Sequence, residues 1–531
     1  MTKLRTLARH AVRIGAAAGL AAIGLAAAPQ PAGASTYTSI SGSGSSWASV
    51  ALDQWSSNVR QNGLVVNYNP DGSAAGRQDF INNQVDFTGS DPPFRDGQDE
   101  LGGTGAENSG KYGFSYVPDT AGGTAFMYHI TVAGHLITNL RLHPLTIMKI
   151  FTGNITNWDD KTITHDYGAQ LHNLPITPVV RSDGSGATYF LTRWMEHLDP
   201  SLWNKFCQRV HPGIRLPCPQ TEFYPENFPN AKAENGSTNV ANYITSSYGN
   251  GAIGYDEYAY ALNSHYPVVA VANPGGYWSL PTASNVAVAL TRAKINEDSH
   301  SLNFLQQDLD RVYTFTDPRS YPLSSYSYLI VPRQASHTPA PPPVFGSPSG
   351  KGRSLSTFID YFLCAGQAHV AELGYSPLPL NLVKGGLLQT SFIPGHIAGP
   401  NLRTLAGCAN PTFTNGVLTL LRDAPQPSPC MKVGEPLNCV VKNGKATVPG
   451  SGSSSGNGKN AGPTASASAG TAITNTTGTG ATGGQVTGQV INLAASQSSQ
   501  VPLAVVTALG ILAAVATPPA LAAWLRRRRR A

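Results

Sequence analysis

Three clusters of serine and glycine stand at the starts of helical stretches, and this arrangement limits the fold more than any other feature of the chain. The first is Ser41-Gly42-Ser43-Gly44-Ser45-Ser46-Trp47, ahead of the helical stretch Ala48 to Gln61. The second is Asp71-Gly72-Ser73-Ala74-Ala75-Gly76, ahead of another. The third, Arg181-Ser182-Asp183-Gly184-Ser185-Gly186-Ala187-Thr188, follows the strand-like Pro178-Val179-Val180 and enters the helical stretch Thr188 to His197. Further strand-like runs lie at Leu64 to Tyr68 and Val268 to Val271, and the alternation predicts an α/β architecture. A helix N-terminus offers unpaired backbone N–H groups and a partial positive charge. Glycine lets an anion reach that backbone, and serine hydroxyls donate further bonds. Three such termini converging would form an anion site that needs few full charges. Taken singly, each cluster reads more simply as an ordinary helix cap.

A change of composition bounds the folded part. Pro449 to about Gln500 is almost entirely Gly, Ser, Thr, Ala and Asn. Such a segment cannot bury enough apolar surface to offset the chain entropy of folding, so 449–500 reads as a flexible stalk. The folded part then runs from Ser35 to about Leu388, with Thr338 to Gly352 as a Pro-rich surface loop, and a Cys-containing extension covers 389–448. A length of 531 residues allows about two to four domains. The net charge of +6 is misleading, because Arg526 to Arg530 at one end and Lys3, Arg5, Arg9 and Arg13 at the other exceed the whole excess. The middle is near neutral, so no nucleic-acid partner is implied.

Both termini carry membrane signals. Basic residues, an apolar run from Ile14 to Ala28 and the small residues Ala32-Gly33-Ala34 predict a cleaved signal peptide at 1–34. Val501 to Leu525 carries no charge and is long enough to cross a bilayer, although Pro518 and Pro519 would kink it. The poly-Arg tail at 526–531 would stay cytoplasmic, leaving the bulk of the chain on the extracellular face. The six cysteines, an even number in an exported chain, favour disulfides. Proximity pairs Cys207 with Cys218 and Cys430 with Cys439, which leaves Cys364 with Cys408. No C-x-x-C or H-E-x-x-H spacing occurs, and no metal or cofactor is implied.

Two charged residues stand beside these clusters. Arg181 ends a strand and could contact an oxyanion with both arms of its guanidinium. Asp91, in Asp86-Phe87-Thr88-Gly89-Ser90-Asp91-Pro92, follows a strand-like run and by its local sequence reads first as a turn residue before proline.

The chain resembles the periplasmic phosphate-binding proteins of ATP-driven (ABC) phosphate importers, from about Ile40 to about Val383. Gly42 to Trp47, Val66-Asn67-Tyr68 with Gly72-Ser73, and Val85-Asp86-Phe87 with Gly89-Ser90-Asp91 carry the resemblance. So do Ile150 to Trp158, Val179 to Gly186, Gly251 to Tyr255 with Glu257 to Tyr260, and Tyr375 to Pro379, all in the family's order.

The resemblance implies a two-lobed periplasmic-binding-protein-like fold of type II, with ligand in the interlobe cleft. The first lobe would hold about 35–117 and 261–388, and the second about 118–260. By motif position, Ser46, the Trp47 backbone N–H and Ser73 would bind the anion from the first lobe. Arg181, Ser185 and Gly186 would bind it from the second, and Asp183 would orient Arg181. Asp91 would accept a proton from the ligand, which phosphate can supply and sulfate cannot. An ABC permease is the implied partner. The chain departs from the family at Ala187, commonly Thr, and at Trp47 and Ala48, commonly Phe and Pro. The stalk and C-terminal anchor also lie outside the family pattern.

Two other classes stay open. A secreted phosphate-ester hydrolase could reuse an oxyanion pocket, but the only G-x-S-x-G match, Gly452 to Gly456, lies in the stalk, where no strand–turn–helix is available. A cell-surface sensor or adhesin would suit the stalk and anchor, with the lobes as a scaffold.

Overall fold

A computed structural model describes residues 37–95, 97, 106–107, 113–334 and 350–449. The first helical stretch begins after strand β1 (Ile40–Gly44) as helix α1 (Ser49–Arg60). It buries Ala51, Leu52, Trp55 and Val59 on one face, the spacing of an amphipathic helix. The same order repeats with β2 (Val66–Asn69), α2 (Ser73–Ile81) and β3 (Phe87–Ser90). These strands pair in parallel, with β1 between β2 and β3.

Strand β4 (Gly113–Tyr128) then runs for 16 residues, buried throughout. A second set of strand–helix units follows: β5 (Thr177–Arg181) with α3 (Gly186–Leu198), β6 (Lys232–Glu234) with α4 (Gly236–Thr245), and β7 (Ala252–Glu257) with α5 (Tyr258–Ser264). Here β5 lies between β6 and β7, again in parallel. The chain returns through β8 (Ser324–Arg333), which packs antiparallel between β3 and β4. The resulting sheet has the order β2-β1-β3-β8-β4-β7-β5-β6.

This topology makes two α/β halves joined by long strands. Residues 113–123 of β4 pair with β8, and residues 124–128 pair with β7. The expected lobe boundary at 117 therefore falls inside one continuous strand. After β8 the chain rejoins the first half through α6 (Lys351–Leu363) and α7 (Leu380–Thr390). Trp55 of α1 stacks on Phe362 of α6 at 5.1 Å and donates its indole N–H to the Gly366 carbonyl at 2.8 Å.

One expectation is corrected here. The Pro-rich loop was expected to reach Gly352, but α6 begins at Lys351, whose Nζ lies 2.7 Å from Asp86 Oδ1, and Gly352 is buried in its first turn. That ion pair anchors the helix start to the sheet.

The disulfides are Cys207–Cys218, Cys364–Cys408 and Cys430–Cys439, the pairs that proximity selects. Cys364–Cys408 ties the extension to the end of α6. Farther on, Val433 N–H donates to the Gly276 carbonyl at 2.9 Å, and Arg141 Nη2 donates to the Glu435 carbonyl at 2.6 Å. Residues 389–449 thus wrap the folded body and form part of it. Among the described residues no helix is long and apolar enough to cross a membrane. The signal peptide 1–34, most of the stalk, the segment 501–525 and the tail 526–531 lie outside the described residues.

Candidate functional site

In open parallel sheets a ligand site forms beyond the carboxyl ends of the strands. Here that rule applies twice, because the strand ends of both halves meet. Ser45 and Ser46 follow β1, Gly72 and Ser73 follow β2, and Asp91 follows β3. From the second half, Arg181 ends β5, with Asp183, Ser185 and Gly186 leading into α3. Gly236 and Ser237 follow β6, and Asp256 lies at the end of β7.

Close approach at this junction requires glycine. Gly72 caps α2 with φ 103°, and a Cβ there would lie 2.6 Å from Asp183 Oδ2 of the other half. At Gly186 a Cβ would lie 2.1 Å from Asp91 Oδ2, again across the junction. The Ala74 N–H also donates to the Gly184 carbonyl at 3.1 Å.

Arg181 is the cationic centre, with 1% of its surface exposed. Its Nε donates to Asp183 Oδ1 at 2.8 Å, and Nη2 makes a second bond to Asp183 Oδ2. Asp256 Oδ2 lies 3.6 Å from Nη1. Burial would lower the pKa of this guanidinium, but the carboxylates of Asp183 and Asp256 outweigh burial and hold it above the ordinary arginine range. Burial pushes Asp256 up to about 6, against the opposing pull of Arg181. Across the junction, Arg181 Nη2 donates to Ser46 Oγ at 2.8 Å, while within the second half Nη1 donates to Ser237 Oγ at 3.1 Å. Ser46 Oγ and Ser237 Oγ are themselves 2.8 Å apart.

Asp91 sits in a nest of hydroxyls. Ser45 Oγ donates to it at 2.9 Å, Ser73 Oγ at 3.3 Å and Ser327 Oγ, from β8, at 2.6 Å. Burial raises its pKa, while these three hydroxyls and the charge of Arg181 act in the opposite direction. Ser45 Oγ reaches both carboxylate oxygens, so each oxygen of Asp91 meets two hydroxyls.

The remaining residues expected at the site have different surroundings. Ser185 stands just before α3, and its N–H donates to the Glu222 carbonyl at 3.0 Å. Ala187 is fully buried in the first turn of α3. The Trp47 ring packs edge-on against Tyr375 at 5.8 Å, and the Trp47 carbonyl accepts from the Tyr375 hydroxyl at 2.7 Å. The structure therefore brings together Ser46, Ser73, Asp91, Arg181, Asp183 and Gly186, with the Trp47 ring turned into the core.

Sequence reasoning gave no individual role to Ser45, Ser237, Asp256 or Ser327. Ser45 stands inside the first Ser/Gly cluster, and Glu234-Asn235-Gly236-Ser237 is a fourth such cluster at a helix start. A buried ion network was also missed. Arg77 of α2 bonds Glu107 at 2.7 Å, Glu222 at 2.6 Å and the Ser90 hydroxyl at 2.9 Å. Among the described residues, no group of three or more metal-ligating side chains forms a metal site.

Two open α/β halves joined by long strands, with a buried arginine and a buried carboxylate where their strand ends meet, define a two-lobed α/β protein. The model of the PBP superfamily domain matches residues 29–365, and this chain belongs to that superfamily. The phosphate-binding protein PstS of Xylella fastidiosa is 26% identical over 348 residues, covering 65% of this chain and 83% of that protein. The phosphate-binding protein PstS 2 of Mycobacterium tuberculosis is 27% identical over 322 residues, covering 60% of this chain and 76% of that protein. Among solved structures, a phosphate-binding protein from Stenotrophomonas maltophilia is 16% identical and aligns over 70% of this chain and 99% of its own, with a TM-score of 0.48.

Proposed function

We propose that this chain is an exported binding protein that captures inorganic phosphate between its two halves and delivers it to an ATP-driven permease. The observation that carries this reading is the contact of Arg181 with Ser46, 2.8 Å apart and drawn from opposite halves. An oxyanion received by both groups stabilises the closed arrangement over an open one, so binding drives hinge closure. The phosphate-binding names of the relatives support the same ligand.

In this reading Ser46, the Trp47 N–H and Ser73 bind from the first half. Arg181, Ser185 and Gly186 bind from the second, Asp183 holds Arg181 in place, and the backbone of Ala187 supports the turn. Asp91 selects the ligand: a carboxylate beside an anion is favourable only if the anion brings a proton, which hydrogen phosphate does and sulfate does not. The paired cysteines suit an oxidising compartment outside the cytoplasm. The signal at 1–34 and the apolar segment 501–525 would place the binding body on the outer face, tethered by its stalk.

Calorimetric titration of the phosphate-stripped full chain tests this reading. Phosphate binds and sulfate stays silent; Asp91→Asn, which can donate where Asp91 accepts, narrows that preference by about 10- to 100-fold. Silence with both anions, or equal affinity for both in the unsubstituted chain, would overturn the proposal.

A further inference from the structure

Ser237 occupies a position that the three Gly/Ser clusters do not explain. It is fully buried in the first turn of α4, a helix of 10 residues that follows β6. Gly236 opens that turn with φ 73°, and its N–H donates to Asp183 Oδ1 at 2.9 Å, which aims the start of the helix at the junction. The Ser237 N–H then donates to Ser46 Oγ at 3.3 Å.

The surroundings of Ser46 Oγ show why this matters. That oxygen meets the Arg181 Nη2–H at 2.8 Å, the Ser237 N–H at 3.3 Å and the Ser237 hydroxyl at 2.8 Å. A serine hydroxyl has two lone pairs and one proton of its own. Either hydroxyl can donate in the last of these contacts, so Ser46 Oγ accepts two N–H bonds from the second half and shares one O–H bond with Ser237. Two N–H groups and a hydroxyl of the second half thus converge on one point of the junction, an arrangement that suits an anionic oxygen, which accepts several hydrogen bonds at once.

We propose that Ser237 is a ligand-binding residue that gives its hydroxyl and backbone N–H to the bound oxyanion, so that four strand-to-helix turns, not three, form the site. The proposal rests on the phosphate reading above. It also accounts for Ala187, which lacks the hydroxyl that the family resemblance leads one to expect there: Ser237 brings a hydroxyl to the second half's side of the site from a different helix.

The test is titration of the phosphate-stripped full chain with inorganic phosphate, comparing the unsubstituted protein with Ser237→Ala and Ser237→Gly. Both variants lose the hydroxyl and keep the backbone N–H, and glycine is well tolerated at a helix start. Each weakens phosphate binding by about 10- to 100-fold, the loss expected for one hydrogen bond to a charged group. The ³¹P resonance of bound phosphate also shifts in both variants, because a direct donor to its oxygen is gone. Affinity within about twofold of the unsubstituted chain would overturn the proposal while leaving the phosphate reading intact. Weaker binding with an unmoved ³¹P resonance would also overturn it, since Ser237 would then act only by holding Arg181. An unsubstituted chain that binds no phosphate refutes the functional reading, and this proposal with it.

Discussion

Replacing Arg77 by methionine removes the only cation bonded to Glu222 across the two halves, among the described residues. Arg77 lies on α2 of the first half, and Glu222 belongs to the second, where its carbonyl receives the Ser185 N–H. The side chains of Arg77, Glu107 and Glu222 are 0%, 1% and 2% exposed. Breaking a buried pair by deleting one partner costs about 3–5 kcal/mol, because the remaining charge is left in a poorly polarisable interior. Glu107 escapes most of this penalty, since Arg95 Nη2 still lies 3.3 Å from it. Glu222 feels the charge of Arg95 but has no other bonded cation, and its Oε2 has no hydrogen-bond partner among the described residues. We expect Arg77→Met to lose about 3–5 kcal/mol at pH 8, and Arg77→Met with Glu222→Gln to recover most of that loss. Urea denaturation followed by both circular dichroism and tryptophan fluorescence measures it. With a slope of about 3 kcal/mol/M, the midpoint falls by about 1–1.7 M. Burial already raises the pKa of Glu222 against the pull of Arg77, so the penalty shrinks as the pH is lowered and the carboxyl protonates. A single variant within 1 kcal/mol of the unsubstituted protein at pH 8, or a double variant no better than the single, would refute the reasoning.

Two further perturbations follow from the same structure. In Gly186→Ala the new methyl lands 2.1 Å from Asp91 Oδ2, across the junction, so closure is obstructed while each half keeps its fold. Overpacking of about 1–3 kcal/mol corresponds to a loss of about 5- to 150-fold in phosphate affinity with an unchanged far-ultraviolet spectrum, and unaltered affinity in titration would contradict it. Asp360, on α6, has an unpartnered Oδ1 among the described residues, and burial pushes its pKa up to about 7. The unfolded carboxyl ionises near pH 4. The stability this group supports is therefore present in full below about pH 4 and is lost as the pH rises through about 7. Asp360→Asn, neutral throughout, raises the melting temperature at pH 8 and leaves it nearly unchanged at pH 4; an equal shift at both would count against the assignment.

Parts of this fold were legible because they are local. The helical stretches Ala48 to Gln61 and Thr188 to His197 became α1 and α3 with ends moved by a residue or two, since an apolar stripe and a Ser/Gly start act within a single turn. Strand β4 was not legible. Its sequence includes Pro118, Asp119, Gly122 and Gly123, which are poor strand formers, and only pairing with β8 on one side and β7 on the other makes it a strand. Strand β6 is three residues long and opens with an exposed lysine, so the strand before the Gly236-Ser237 cluster was not legible, although the cluster itself was.

The sequence alone determined the α/β alternation, the Ser/Gly helix starts, and Arg181 and Asp91 as the charged residues beside them. Each of these depends on neighbours within a few positions, where hydrogen-bond geometry and helix polarity act directly. Tertiary structure decided which of those groups meet. The contact of Ser46 with Arg181 spans 135 positions, that of Asp91 with Ser327 spans 236, and that of Arg77 with Glu222 spans 145. Such pairs form because the two halves of one sheet are joined by long strands that bring six strand ends to one place. Burial there, out of reach of water, strengthens the interactions among these charges and hydroxyls.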